Sequence, residues 1–292
     1  MSTLALVTND DGIDSPGLTA LADAARAHGF DVVVAAPAGP ASGMSAALTA
    51  VEHGGHIGMR ERSPGVYAVE ATPAMISLLA VHGAFGRPPD VVLSGINRGA
   101  NIGRAILHSG TVGAALTAAY HGVPALAVSL DVGLEPAGPP RWDTAAAVTR
   151  DVLPRLADLA PGTVVNLNVP DAPTVPGVRE TGLATFGTVQ ITLAETGEGF
   201  VRTQLTDTPR PGSDEDCDLA LLARGWATLT LVEGITAAFA GPPGRVGGRE
   251  NGEEHAMPRA WSAKRLYEEA KKKNIKGRST MTKAQLERAV GR

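Results

Sequence analysis

Near its start the chain runs Leu4-Ala-Leu-Val7, then Thr8-Asn-Asp-Asp-Gly12, then Ser15-Pro-Gly17 and a stretch whose apolar residues Leu18, Leu21, Ala22 and Ala25 share one helical face. No other stretch constrains the fold as much. Four consecutive apolar residues read as a strand buried on both faces. Pro16 suits a first helical turn, and Gly29 suits a helix stop. A buried strand, a short turn and a helix form the opening unit of a parallel α/β sheet. Such sheets bind ligands at the carboxyl ends of their strands. Asp10 and Asp11 therefore stand side by side at a ligand-binding edge.

Adjacent carboxylates repel each other, and a hard divalent cation relieves the repulsion because Mg²⁺ and Mn²⁺ take oxygen ligands. Taken alone, Asn9-Asp-Asp-Gly12 reads rather as an Asx-type turn with Gly12 at positive φ. The company it keeps decides in favour of a site. Further buried strands are predicted over Asp31–Ala36, Val66–Val69, Asp90–Leu93, Ala125–Leu130 and Val164–Val169. Between them lie a helix capped by Thr72 with Pro73 at its first position, a small-residue helix over Val112–Tyr120, and an amphipathic one over Asp143–Leu159 that Pro154 should kink or shorten. This rhythm predicts an α/β fold with a parallel sheet and helices on both faces. From about Val178 the rhythm changes. Val189–Leu193 and Phe200–Leu205 alternate with period two and read as a hairpin arm outside the main sheet, before a last strand over Trp226–Val232.

Hydrophobic residues make up 43% of the 292 and aromatics only 4%, so the core must be built mainly from Ala, Val and Leu. The single cysteine, Cys217, excludes an intrachain disulfide and a cysteine-based zinc site. The N-terminus lacks a basic segment followed by an apolar run, and no stretch reaches the ~18 apolar residues of a membrane span. The expectation is a soluble, cytoplasmic protein with no membrane partner. All six lysines fall in residues 257–292, which carry a net charge of +8, while the chain as a whole is −4 and the preceding part −12. That contrast, with the Gly- and Pro-rich stretch Gly241–Glu254, predicts a main domain over 1–235, a linker over 236–256 and a small basic helix–loop–helix module over 257–292.

Three loops converge on the carboxyl edge: Asp10-Asp11, Ser42-Gly43, and the run Ser94-Gly-Ile-Asn97 through Asn101 to His108-Ser-Gly-Thr111. A carboxylate pair, a hydroxyl and a carboxamide are all oxygen donors, which suit Mg²⁺ or Mn²⁺ better than zinc. Ser109-Gly110-Thr111 at a helix start offers N–H groups, hydroxyls and the positive dipole end, a ready phosphate cradle or an ordinary N-cap.

Several of these segments occur together in one family. Thr8–Ile13 with Ser15–Leu18, Ser94–Asn97, Asn101–Gly103 with His108–Val112, and the supporting Thr72–Ala74, Gly122–Ser129 and Asn168–Asp171 closely resemble the SurE family of metal-dependent nucleotidases, over roughly residues 3–235. The resemblance implies a Rossmann-like core with a swapped hairpin, a homodimer or homotetramer, and hydrolysis of nucleoside 5′- and 3′-monophosphates with one divalent cation per subunit. It assigns the metal to Asp10, Asp11, Ser42 and Asn97, with Asp10, Asp11 and Asn97 catalytic. The phosphate contacts fall on Asn101 and Ser109–Thr111. His108 is a candidate acid for the leaving alcohol, and Asp11 could instead act as a base.

The chain departs from the family pattern at Ala38-Gly-Pro-Ala41, where polar residues are usual and here no side-chain functional group exists. Met75-Ile76 replaces a usual Asp-Cys, and the strand Ala227–Leu231 lacks the usual Pro. A haloacid-dehalogenase-type phosphatase needs two aspartates separated by one residue, whereas Asp10 and Asp11 are adjacent. The remaining alternatives are a broad phosphomonoesterase or short-polyphosphate hydrolase, and a nucleic-acid-associated binding protein on a weakly active fold. The basic end resembles SAP-like and Rho-N-terminal-like modules. It would contact nucleic-acid backbones through charge, or serve as a solvated tail.

Overall fold

The computed structural model describes residues 2–133, 136, 138–159, 162–185, 189–197, 200–207 and 215–233, with scattered positions between 270 and 289. In chain order the elements are β1 (Leu4–Thr8), α1 (Pro16–His28), β2 (Asp31–Pro37), β3 (Glu52–His53), β4 (His56–Ile57), β5 (Met59–Ser63), β6 (Val66–Val69), α2 (Pro73–Val81), β7 (Val91–Arg98), α3 (Gly110–Tyr120), β8 (Ala125–Asp131), α4 (Trp142–Val152), β9 (Thr163–Pro170), β10 (Val178–Glu180), β11 (Val189–Gly197), β12 (Phe200–Asp207), α5 (Asp218–Ala223) and β13 (Ala227–Glu233). Two 3₁₀ turns, Gly103–His108 and Leu153–Asp158, complete the set. Pro154 does shorten the expected helix: α4 stops at Val152 and the chain tightens into the second of these turns.

The main sheet runs β10-β13-β9-β8-β7-β1-β2-β6-β5. Its six central strands, β9 to β6 in that order, are all parallel. Numbered by their own sequence they follow 6-5-4-1-2-3, the doubly wound order whose direction reverses between β1 and β7. That reversal brings the carboxyl ends of β1 and β7 side by side at the switch point, the edge where sheets of this order bind ligands. Antiparallel strands flank the parallel block: β13 pairs with β9, and β5 with β6. The hairpin expected outside the main sheet is there as the β11–β12 pair.

Strand side chains alternate between two apolar layers. One face, with Val7, Leu93, Leu126, Val128 and Leu167, packs against Leu18 and Leu21 of α1 and Val148 and Val152 of α4. The other, with Leu6, Val92 and Val164, packs against Ile76 of α2 and Val112, Ala115 and Ala118 of α3. Small residues allow close docking. A Cβ on Gly17 would lie 2.1 Å from the Ile96 carbonyl oxygen, so α1 rests directly on the backbone of β7. The Gly95–Ile96 peptide is cis.

The chain divides into compact units of residues 1–236 and 237–292. In the second, Ala270 and Leu286 are buried against Ile275 and Met281. Thr282 and Gln285 form a reciprocal cap: the Thr282 N–H donates to Gln285 Oε1 at 2.8 Å and the Gln285 N–H to Thr282 Oγ1 at 3.4 Å. The expected linker and most of the basic module lie outside the described residues.

Candidate active site

The turn after β1 is built by Asn9. Its Nδ2 donates to the Gly12 carbonyl at 3.1 Å, and the Gly12 N–H donates back to Asn9 Oδ1 at 3.2 Å. This Asx closure, with Gly12 at φ 99°, holds Asp10 and Asp11 at the carboxyl end of β1. The turn reading and the site reading of this tetrapeptide are thus compatible, since the turn presents the carboxylates.

Asp10 is only 5% exposed. Thr111 Oγ1 donates to its Oδ1 at 2.6 Å. A Cβ on Gly110 would lie 2.9 Å from Asp10 Oδ2, so the start of α3 is pressed against this carboxylate with no side chain between. Asp11 is half-buried, and its Oδ2 accepts the Arg98 N–H at 3.0 Å. Burial pushes both carboxyls above the ordinary aspartate value. For Asp10 the Thr111 hydroxyl pulls back down and the Asp11 charge pushes further up. For Asp11 the Arg98 N–H and then the Arg98 charge oppose the rise.

Asn97 precedes the residue that binds Asp11, and its Nδ2 donates to the Gly99 carbonyl at 2.7 Å. That bond uses the amide nitrogen and orients the carboxamide oxygen the other way. Ser42 is exposed in the loop after β2. The loop is tied to the β1 turn by backbone: the Ala41 N–H donates to the Asp10 carbonyl at 2.8 Å and the Ile13 N–H to the Pro37 carbonyl at 2.9 Å. Farther along, Ser45 Oγ donates to the Leu107 carbonyl at 2.6 Å, joining this loop to the 3₁₀ turn.

Ser109 caps α3, its Oγ accepting the Val112 N–H at 3.1 Å, and its hydroxyl hydrogen remains available to an acceptor. His108 is exposed at the end of the 3₁₀ turn. Asn101 faces the sheet. Its Nδ2 donates to Ser129 Oγ at 2.8 Å and its N–H to Asn168 Oδ1 at 2.7 Å, while its carbonyl accepts from both Asn166 and Asn168 at 2.9 Å. Sequence reasoning left three participants unassigned: Arg98, whose N–H holds Asp11, and the pair Asn166 and Asn168. The Asn168-Val-Pro motif marked the last of these without indicating what it binds.

Among the described residues no group of three or more His, Cys, Asp or Glu gathers as a metal cluster. The donors that the resemblance names are instead two carboxylates, a hydroxyl and a carboxamide. Two partly desolvated carboxylates with raised proton affinity, backed by an amide oxygen, fit a hard cation and not a soft one.

Fold and site together define a doubly wound α/β protein with two adjacent carboxylates at its switch point. The sequence profile described as Survival protein SurE matches residues 5–190, and the chain belongs to the SurE family. It is 36% identical over 239 residues to a 5′-nucleotidase SurE of Bradyrhizobium diazoefficiens, covering 77% of this chain and 91% of that one. It is 43% identical over 180 residues to a 5′-nucleotidase SurE of Syntrophotalea carbinolica, covering 61% and 69%. The crystal structure of the SurE protein from Aquifex aeolicus superposes with a TM-score of 0.67 at 28% identity, covering 79% of this chain and 93% of that one. Among the described residues no helix is long and apolar enough to cross a membrane.

Proposed function

We propose that the chain is a metal-dependent 5′-nucleotidase that hydrolyses nucleoside 5′-monophosphates, and 3′-monophosphates as well, to nucleoside and phosphate. The observation that carries this reading is the pair of adjacent carboxylates at the switch point, one bound by the first turn of α3 and the other by the end of β7. Asp10, Asp11, Ser42 and Asn97 would hold one Mg²⁺ or Mn²⁺ per subunit. When bound, the cation would neutralise phosphate charge and lower the pKa of a coordinated water.

The chain's own groups divide the remaining work. Thr111 and Arg98 hold the two carboxylates in one orientation each. The Ser109 hydroxyl and the first-turn N–H groups of α3 would bind the phosphate oxygens. Attack of water at phosphorus breaks the P–O bond to the sugar, and exposed His108 would give its proton to the departing alkoxide. We take the protein to act in the cytoplasm as a homodimer or homotetramer, with no membrane partner.

Phosphate release from a panel of nucleoside 5′- and 3′-monophosphates, with EDTA and then with Mg²⁺ or Mn²⁺ restored, tests the reading. Metal-restored turnover is expected, and Asp11→Asn should lose most of it while keeping the fold. Silence of the folded protein across the panel, or near-normal activity of Asp11→Asn, would overturn it.

A further inference from the structure

Asp218 opens α5, is 0% exposed, and has no cationic partner among the described residues. A buried carboxylate must be compensated, and here three backbone N–H groups do it. Its Oδ2 accepts the Gly103 N–H at 2.7 Å. Its Oδ1 accepts the Ala184 N–H at 2.7 Å and the N–H of its own neighbour Leu219 at 2.8 Å. The donors come from three places in the chain. Gly103 begins the 3₁₀ turn that ends at His108, immediately before Ser109 and α3. Ala184 lies at the root of the β11–β12 arm, and Leu219 belongs to α5. The same junction is tightened by the Arg104 N–H on the Ala184 carbonyl at 3.2 Å and the Asp218 N–H on the Gly182 carbonyl at 3.0 Å.

We propose that Asp218 is a positioning residue for phosphate binding: it fixes Gly103, and through the 3₁₀ turn it fixes His108 and Ser109, coupling that segment to the root of the arm. The proposal rests on the nucleotidase reading above. A six-residue 3₁₀ turn is short and hydrogen-bonded, so displacing its first residue displaces its last. Asp10 and Asp11 stand in the turn after β1, which Asn9 and Gly12 close. Asp11 accepts the Arg98 N–H while Asp10 accepts the Thr111 hydroxyl from within α3, so the metal ligands have supports outside the 3₁₀ turn.

Asp218→Asn separates the two functions. An asparagine keeps one oxygen. The orientation that satisfies two N–H groups places that oxygen at Ala184 and Leu219 and turns the NH₂ towards the Gly103 N–H, donor against donor. The damage then falls on the phosphate side of the junction. In the full-length protein we expect KM for a nucleoside monophosphate and Ki for inorganic phosphate to rise about ten-fold or more, with half-maximal metal activation within about two-fold of wild type. A merely structural residue would lower thermal stability and leave KM and Ki of the folded fraction unchanged, and that result overturns the proposal. Should the variant fail to fold, amide exchange in the wild type decides. Inorganic phosphate should slow exchange at Gly103, Ala184 and Leu219 together, and protection that stops short of Ala184 and Leu219 overturns the coupling. A wild type that turns over no monophosphate overturns the nucleotidase reading and this role with it, whereas an active wild type with an unaltered Asp218→Asn removes this role alone.

Discussion

Asp10 is held in a position that its charge disfavours. At 5% exposure its carboxylate is desolvated, the Asp11 charge adds to the cost, and the Thr111 hydroxyl recovers only part. A folded-state pKa raised above the unfolded one has a definite sign. The stability it contributes is complete below the ordinary value of 3.8 and is lost as pH rises through the folded pKa. Metal-free protein should therefore be less stable at neutral pH than its Asp10→Asn variant, with the gap closing towards about pH 4. Thermal unfolding in EDTA at a series of pH values reads this, and Mn²⁺ should raise the melting temperature of the wild type and not of the variant. A variant less stable than wild type at neutral pH would contradict the account. The carboxylates themselves were legible in the sequence, because adjacent acids in a strand-to-helix turn are conspicuous. The use of Thr111 was not. Thr111 falls among the phosphate contacts that the resemblance implies, and its hydroxyl donates to Asp10, a contact that depends on how α3 docks and not on local spacing. Asp218 was invisible for a similar reason, since in Ser213-Asp-Glu-Asp-Cys-Asp218 nothing distinguishes the acid that folding buries.

Among the elements, two glycines make contacts that look alike and should behave differently. A Cβ on Gly17 meets the Ile96 carbonyl of interior β7 at 2.1 Å, whereas one on Gly113 meets the Ser45 carbonyl of the surface loop at 2.3 Å. Neither contact can be relieved by rotating a side chain. Gly17→Ala should cost about 1–3 kcal/mol in urea unfolding, because β7 cannot move without disturbing the sheet. Gly113→Ala should leave stability nearly unchanged and instead weaken metal activation several-fold, because the loop that yields carries Ser42. Equal effects on both measurements would refute the distinction. The parallel strands were readable because burial on both faces makes them continuous apolar runs. β3, β4, β5 and β10 were missed: Met59–Ser63 and Val178–Glu180 are exposed throughout, and a strand lying open to solvent has no apolar alternation to betray it.

On the scale of the whole molecule, charge is the organising fact. The first 256 residues hold a net −12 and no lysine, and the last 36 hold +8. A strongly basic segment engages nucleic-acid phosphates with an affinity that falls steeply with salt. Deleting residues 257–292 should abolish salt-sensitive retention on DNA or RNA and leave turnover of nucleoside monophosphates unchanged. Retention that survives the deletion would assign nucleic-acid contact elsewhere. The capped turn at Thr282 and the buried pair Ala270 and Leu286 show this end to have a small apolar centre of its own.

Next to Asp218 sits Cys217, 5% exposed and the only sulfhydryl of the chain. Thiol reagents thus have a single target, and they reach it only when the junction joining α5, the arm root and the 3₁₀ turn comes apart. The labelling rate of the untouched protein is therefore a clock for that opening, built into the sequence and needing no engineered probe.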